Sequence, residues 1–190
     1  MITELVDTDG ACDWVALGDV CEITSGKVLS RKNFKTGVVP VIGGGKQPTG
    51  YHNEANRPAN TILCSASGNS AGYLSRYEMP VWASDCFSIA PSNCATLNND
   101  FLYFVLMRYQ EDIFKLQYGS AQPHLRPENL NAFKIPLPKS PTFQTQLQPY
   151  LDELDTLRQQ VKTHEAEYQQ ALTDLRCASI DDDASDAAAA

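Results

Sequence analysis

Apolar and polar positions alternate loosely over residues 14–23, which predicts a short element entering the core. Ser25, Gly26 and Lys27 read as a turn. Residues 38–42, Val-Val-Pro-Val-Ile, form a short apolar run stopped by three glycines, and residues 61–65, Thr-Ile-Leu-Cys-Ser, form another. Both predict buried strands. Alternation over residues 72–77 and 81–89 predicts two half-buried strands, and the three residues between them predict a hairpin. Helical spacing takes over at residues 100–116, with Asn98 or Asn99 as the cap, acids near the start and Lys115 near the end. Residues 133–138, Phe-Lys-Ile-Pro-Leu-Pro, predict a last strand, which its prolines confine to a sheet edge or exit.

A long helix then closes the chain, opened by Ser140-Pro141. Leu147, Leu154, Val161, Tyr168 and Leu175 recur every seventh residue, and the companion seam reads Leu151, Arg158, Glu165, Leu172. The stripe is coiled-coil-like with a polar middle. Two antiparallel copies would bring Arg158 of one near Glu165 of the other. The helix spans about 36 residues and about 50 Å, more than a domain this small can cover. Pro149 is expected to kink it or delay its start. The expected organisation is α+β: a small mixed-sheet domain over residues 1–140, a long C-terminal coiled-coil-like helix over 141–178, and a disordered acidic tail over 179–190.

Charge divides along the same lines. The net charge of −8 is uneven: residues 1–25 carry −6, residues 26–140 carry +5, and residues 141–190 carry −7. The middle can therefore meet phosphates while the ends keep the chain acidic. Lys27, Arg31, Lys32, Lys35 and Lys46 crowd into its start. No apolar run nears the roughly 20 residues of a membrane helix, and Met1–Asp7 has no signal-peptide pattern, so a cytoplasmic location is expected. The six cysteines are scattered without a Cys-x-x-Cys pair, which predicts free buried thiols and no metal site.

Enzyme chemistry finds little support. Gly68-Asn69-Ser70-Ala71-Gly72 matches G-x-S-x-G, and Asp100 and His124 follow in hydrolase order. A nucleophile elbow needs a helix directly after its serine, whereas the residues after Ser70 alternate like a strand. Gly43-Gly44-Gly45-Lys46 fails as a P-loop, because Pro40 stands where the first glycine belongs and Gln47 replaces Ser/Thr. No G-x-G-x-x-G opens a helix, and no Asn/Asp/Ser-Pro-Pro-aromatic motif is present.

Two loops suit recognition instead. Residues 43–52 (GGGKQPTGYH) and 118–127 (YGSAQPHLRP) combine stiffening Gly and Pro with amide, imidazole and cationic groups. Gln47, Asn53, Asn69 and Gln122 can pair with an adenine edge. Lys46, Arg76 and Arg126 suit guanine or phosphate, and Tyr51, His52 and Tyr73 can stack or donate. The bland alternatives are core positions for Tyr51 and Tyr73, turn capping for the asparagines, and an Arg126–Glu128 pair. An interaction module binding protein or sugar is the other non-enzymatic possibility.

A series of motifs carries a family likeness. It runs from Trp14-x-x-Leu17-Gly18-Asp19-Val20-Cys21-Glu22-Ile23 through Val41-Ile42-Gly43-Gly44-Gly45, Gly50-Tyr51-His52-Asn53 and Asn60-Thr61-Ile62-Leu63. It continues with Ser67-Gly68-x-x-Ala71-Gly72-Tyr73, Trp82-Ala83-Ser84-Asp85-Cys86-Phe87, Gly119-Ser120-Ala121-Gln122-Pro123-His124-Leu125 and Ile135-Pro136-Leu137-Pro138. In this order, over residues 12–176, the chain resembles the target-recognition domain plus conserved helix of type I restriction–modification specificity subunits, in a half-size form.

The resemblance implies a non-catalytic, sequence-specific DNA reader that holds one half of a split target. From charge and loop composition the expected DNA contacts are Lys27, Arg31, Lys32, Lys46, Gln47, Tyr51, His52, Asn69, Tyr73, Ser120, Gln122, His124 and Arg126. Leu147, Leu151, Leu154, Val161, Tyr168, Leu172 and Leu175 would serve self-pairing and methyltransferase docking. The implied partners are double-stranded DNA, methyltransferase subunits that bind S-adenosylmethionine and flip out the adenine, and a restriction subunit. The chain itself is expected to hold no cofactor and no metal.

Overall fold

A computed structural model describes residues 12–94 and 96–188. The expectation for Met1–Asp7 lies outside them. The chain divides into two compact units, residues 1–147 and 148–190.

The first unit is α+β. The element expected at residues 14–23 resolves into three: β1 (Cys12–Ala16), a single helical turn α1 (Leu17–Val20), and β2 (Cys21–Ser25). A 3-10 turn, Arg31–Asn33, precedes β3 (Val39–Ile42) and β4 (Gly50–His52). Then come β5 (Ile62–Ser65), β6 (Leu74–Arg76), β7 (Trp82–Ala83) and β8 (Cys86–Pro91). Helices α2 (Asn99–Arg108), α3 (Gln110–Phe114) and α4 (Pro127–Ala132) lead to β9 (Lys134–Pro138).

Three sheets result. β2, β8, β5 and β6 lie side by side, all antiparallel, while β4, β3 and β7 form a mixed sheet in which β3 and β7 are parallel. Among the described strands β9 pairs with β1 alone, setting Pro136 opposite Trp14. Its prolines thus sit on an edge, as expected.

The predicted hairpin does not form. β5 lies between β6 and β8, and residues 81–89 split into β7 and β8, which belong to different sheets. The division falls at Ser84 and Asp85. Ser84 N–H donates to Ile42 O at 2.8 Å, and its hydroxyl accepts from Leu29 N–H at 3.0 Å. Alternation fixes which face a residue takes, not which strand it joins.

Where the two sheets meet, Ile42, Leu63, Val81, Ala83 and Cys86 form a buried cluster, with Tyr77 packed against it. Burying one such aliphatic side chain contributes about 1.5–3 kcal/mol. Asn98 caps α2 as expected, its Oδ1 accepting from the N–H groups of Asp100 and Phe101 at 2.7 and 3.1 Å. The single helix expected over 100–116 is broken at Tyr109. Its backbone leaves the helical region there, and its ring meets Trp14 and Phe133 edge-on at 5.9 and 6.4 Å.

The final helix, α5, runs over Pro141–Ala188 and passes through Pro149. Its first turn belongs to the globular unit: Gln144 is buried, accepts from Asn98 N–H at 2.8 Å and donates to Thr96 O at 2.8 Å. The boundary therefore falls after Leu147, past the expected residue 140. Beyond Ile180, where a disordered acidic tail is expected, α5 continues to Ala188. Among the described helix positions Leu151 is buried, Leu154 and Leu172 are half-buried, and Val161 and Tyr168 are exposed. The side chains of Leu147, Arg158 and Leu175 lie outside the described ones.

Candidate nucleic-acid interface

Three loops meet at one end of β3 and β5. The first, residues 43–49, leaves β3 and is closed by Thr49, whose N–H and hydroxyl donate to Val41 O at 2.8 and 3.1 Å. The Ser65 hydroxyl lies 3.4 Å from both Gly43 O and Gly45 O. This ties the loop to the end of β5.

The second loop, residues 66–73, is held from both sides. Gly68, at φ 76°, and Gly72, at φ 87°, supply left-handed bends that few other residues adopt. Gln110 clamps its exit, accepting from Leu74 N–H at 2.9 Å and donating to Gly72 O at 2.8 Å. Gln117 donates to Ala71 O at 2.7 Å.

The third loop is a closed turn. Tyr118 and His124 exchange two backbone hydrogen bonds, each 2.9 Å, around Gly119 at φ 88°. It is stitched to the second loop by Gly68 N–H to Pro123 O at 2.8 Å and Leu125 N–H to Ala66 O at 2.9 Å. Lys46 then bridges the first and second loops, its Nζ 5.5 Å from the centre of the Tyr73 ring.

Lys46, Gln47, Asn69, Ser120, Gln122 and Arg126 are exposed on these joined loops. Tyr73 and His124 are half-buried and hold cations or backbone in place. Arg126 lies 4.3 Å over the Tyr118 ring, in place of the alternative pairing with Glu128.

His52 departs from the expected contact role. It is 3% exposed, its Nδ1 accepts from Lys35 N–H at 3.0 Å, and its ring sits edge-on to Trp82 at 5.2 Å. Alternation along β4 sends His52 inward and its neighbour Tyr51, 57% exposed, outward.

Lys27, Arg31 and Lys32 are exposed on a separate segment. That segment follows β7: Lys27 N–H donates to Ala83 O at 2.9 Å, and Lys27 O accepts from the Trp82 indole at 2.8 Å.

Sequence reasoning missed Ser67, Asp85, Arg57 and Tyr118. Arg57 reaches two neighbouring strands of one sheet, donating to Ser88 Oγ of β8 at 2.8 Å and to Ser25 O of β2 at 3.1 Å. Only the flanking position of Tyr118 beside Gly119 hinted at its role.

Hydrolase geometry is not assembled at Ser70. A turn and then β6 follow it instead of a helix. The Asp100 carboxylate accepts from Arg76 at 2.6 Å. Among the described residues no three His, Cys, Asp or Glu side chains gather to hold a metal. No described helix is long and apolar enough to cross a membrane. Among the described residues Cys21, Cys64, Cys86 and Cys94 are free thiols.

The family model of the type I restriction modification DNA specificity domain matches residues 12–169. The chain belongs to this family. A protein of Mycoplasma genitalium named as a type I specificity subunit is 31% identical over 137 residues, which are 70% of this chain and 34% of that protein. The specificity domain thus spans about a third of that relative's length.

Two solved structures share its fold. The specificity subunit from M. genitalium superposes with a TM-score of 0.71 at 20% identity, covering 79% of this chain and 41% of that one. A chain solved to explain assembly and conformational transition of the type I system gives 0.62 at 20% identity, covering 89% and 44%.

Proposed function

We propose that this specificity domain reads one half of a split DNA target for a type I adenine methyltransferase. The observation that carries the reading is the joining of three loops, the second to the third by backbone hydrogen bonds and the first to them through the Ser65 hydroxyl and the Lys46–Tyr73 contact, with amides and cations exposed upon them. Base discrimination requires donors and acceptors held in fixed places, and charge alone supplies only non-specific attraction. Glycine bends and loop-to-loop bonds supply the fixity here. Exposed Gln47, Asn69 and Gln122 supply paired donors and acceptors, while Lys46, Lys27, Arg31 and Lys32 suit phosphates.

The reaction itself falls to partners. Methyltransferase subunits would bind S-adenosylmethionine and the flipped adenine, with a restriction subunit as a further partner. Helix α5 would dock the methyltransferase and pair with a second specificity helix. The exposed apolar residues Val161 and Tyr168 support that role.

The test is association of the full chain with a methyltransferase subunit, followed by binding to duplexes over a range of salt. Tight binding to one selected duplex, with weaker and more salt-sensitive binding to a scrambled one, is expected. Equal affinity for both would return the chain to a general interaction module.

A further inference from the structure

Two cations in the joined loops are held over aromatic rings, and they are chemically different. Lys46 is a point charge on a flexible stem, 5.5 Å from the Tyr73 centroid. Arg126 carries a planar fork of donors and lies closer, 4.3 Å from the Tyr118 centroid. The backbone fixes Arg126 and Tyr118 from both sides. Arg126 caps α4, its carbonyl accepting from the N–H groups of Asn129 and Leu130 at 3.1 and 3.2 Å. Tyr118 is locked to His124 by the paired bonds of the closed turn, and Leu125, between His124 and Arg126, is buried. Tyr118 stays 42% exposed and Arg126 is exposed, so the pair stands at the surface.

Resting on the DNA-reading proposal, we infer that Arg126, held on the Tyr118 ring, is a guanine-reading residue, with Tyr118 as its positioning residue. A guanidinium stacked on a ring has limited freedom to rotate and keeps its edge available. That edge matches the O6 and N7 acceptors of guanine in the major groove with two parallel hydrogen bonds. Lys46 lacks the fork and fits a phosphate oxygen. The half-target read by this domain therefore contains a guanine, and discrimination at that base pair depends on a tyrosine that need not touch DNA.

The experiment selects duplexes from a randomised library with the full chain and its methyltransferase subunit. It compares the wild type with Arg126→Lys, Tyr118→Leu, Tyr118→Phe and Lys46→Ala, each first checked for native thermal unfolding. Arg126→Lys and Tyr118→Leu are expected to lose about tenfold or more in preference for guanine at one position, keeping the other positions. Tyr118→Phe retains the ring and keeps the preference. Lys46→Ala weakens selection evenly across sequences.

A wild-type motif without guanine overturns the assignment. So does an Arg126→Lys variant that loses affinity equally for all sequences, which would make Arg126 a phosphate contact. If Arg126→Lys and Tyr118→Leu leave the motif intact while Lys46→Ala weakens selection, the guanine assignment falls and the DNA-reading proposal survives. If no variant changes selection, or the wild type selects nothing, both fall.

Discussion

The Ser67 hydroxyl donates to the Asp85 carboxylate, tying the second loop to the link between β7 and β8. Ala66 N–H adds a backbone bond to Asp85 O at 3.2 Å. Gly44 of the first loop lies against the same junction: a Cβ there would stand 2.5 Å from Ser67 O and 3.2 Å from Asp85 Oδ2. Three segments distant in sequence are thus fixed at one point, beneath the residues proposed to meet DNA.

Gly44→Ala is accordingly expected to push the first loop off the second. Its cost is about 1–3 kcal/mol, as for other overpacked sites, read as a lower denaturation midpoint. Asp85→Ala removes the acceptor and is expected to lower stability by about 1–2 kcal/mol. Both variants should broaden the selected DNA motif. An unchanged midpoint and motif in Gly44→Ala would show that the close approach does not constrain the loops.

His52 and Tyr51 give a paired contrast. His52→Ala leaves a cavity beside Trp82 and Lys35 N–H without its acceptor, so a loss of about 2–4 kcal/mol is expected. Tyr51→Ala, on the exposed face, should stay within about 0.5 kcal/mol of the wild type. Chemical denaturation of the two variants decides it. Equal effects would contradict the assigned faces of β4.

Burial pushes the Cys21 and Cys86 thiols up from 9.0 to about 12, and that of Cys64 upward as well. Thiols raised on folding favour the protonated native state. Their contribution is complete below pH 9 and is lost as pH rises toward 12, because the unfolded chain ionises first. Stability should therefore fall steadily above pH 9. At pH 8 a thiol reagent should modify the exposed Cys94 well before Cys21, Cys64 or Cys86. Rapid labelling of Cys64 in the native protein would be inconsistent with its burial.

The α5 stripe predicts self-association or partner docking. Val161 is 56% exposed and Tyr168 62% exposed, and both belong to the seven-residue repeat. Val161→Glu with Tyr168→Glu should shift sedimentation toward the monomer and weaken methyltransferase capture. Thermal unfolding of the globular unit should not change. Retention of both associations in the double variant would place the contact elsewhere.

Local signals in the sequence proved reliable where one residue decides the outcome. Asn98 caps α2 through its own side chain, and β9, with its prolines, has β1 as its one neighbour among the described strands. Partner choice was not legible. The strands at 72–77 and 81–89 were visible as strands, but the insertion of β5 between them depends on long-range burial of Ile62, Leu63 and Cys64. The two polar loops were readable from composition, yet their bonding through residues 66–69 was not. His52 was misplaced because a polar ring looks the same in sequence whether it bonds a backbone N–H or a base. Ser67 and Asp85 stand 18 residues apart, so no local pattern in the sequence marks the junction between them.

The central claim is that the joined loops read base sequence. Genome-wide mapping of methylated adenine tests it most directly, in cells carrying the methyltransferase subunit with the wild-type chain, Lys46→Ala or Gln122→Ala. The account predicts a split motif that appears only with the chain, with occupancy or definition reduced in both variants. Methylation independent of the chain, or identical motifs and occupancy for all three proteins, would contradict it.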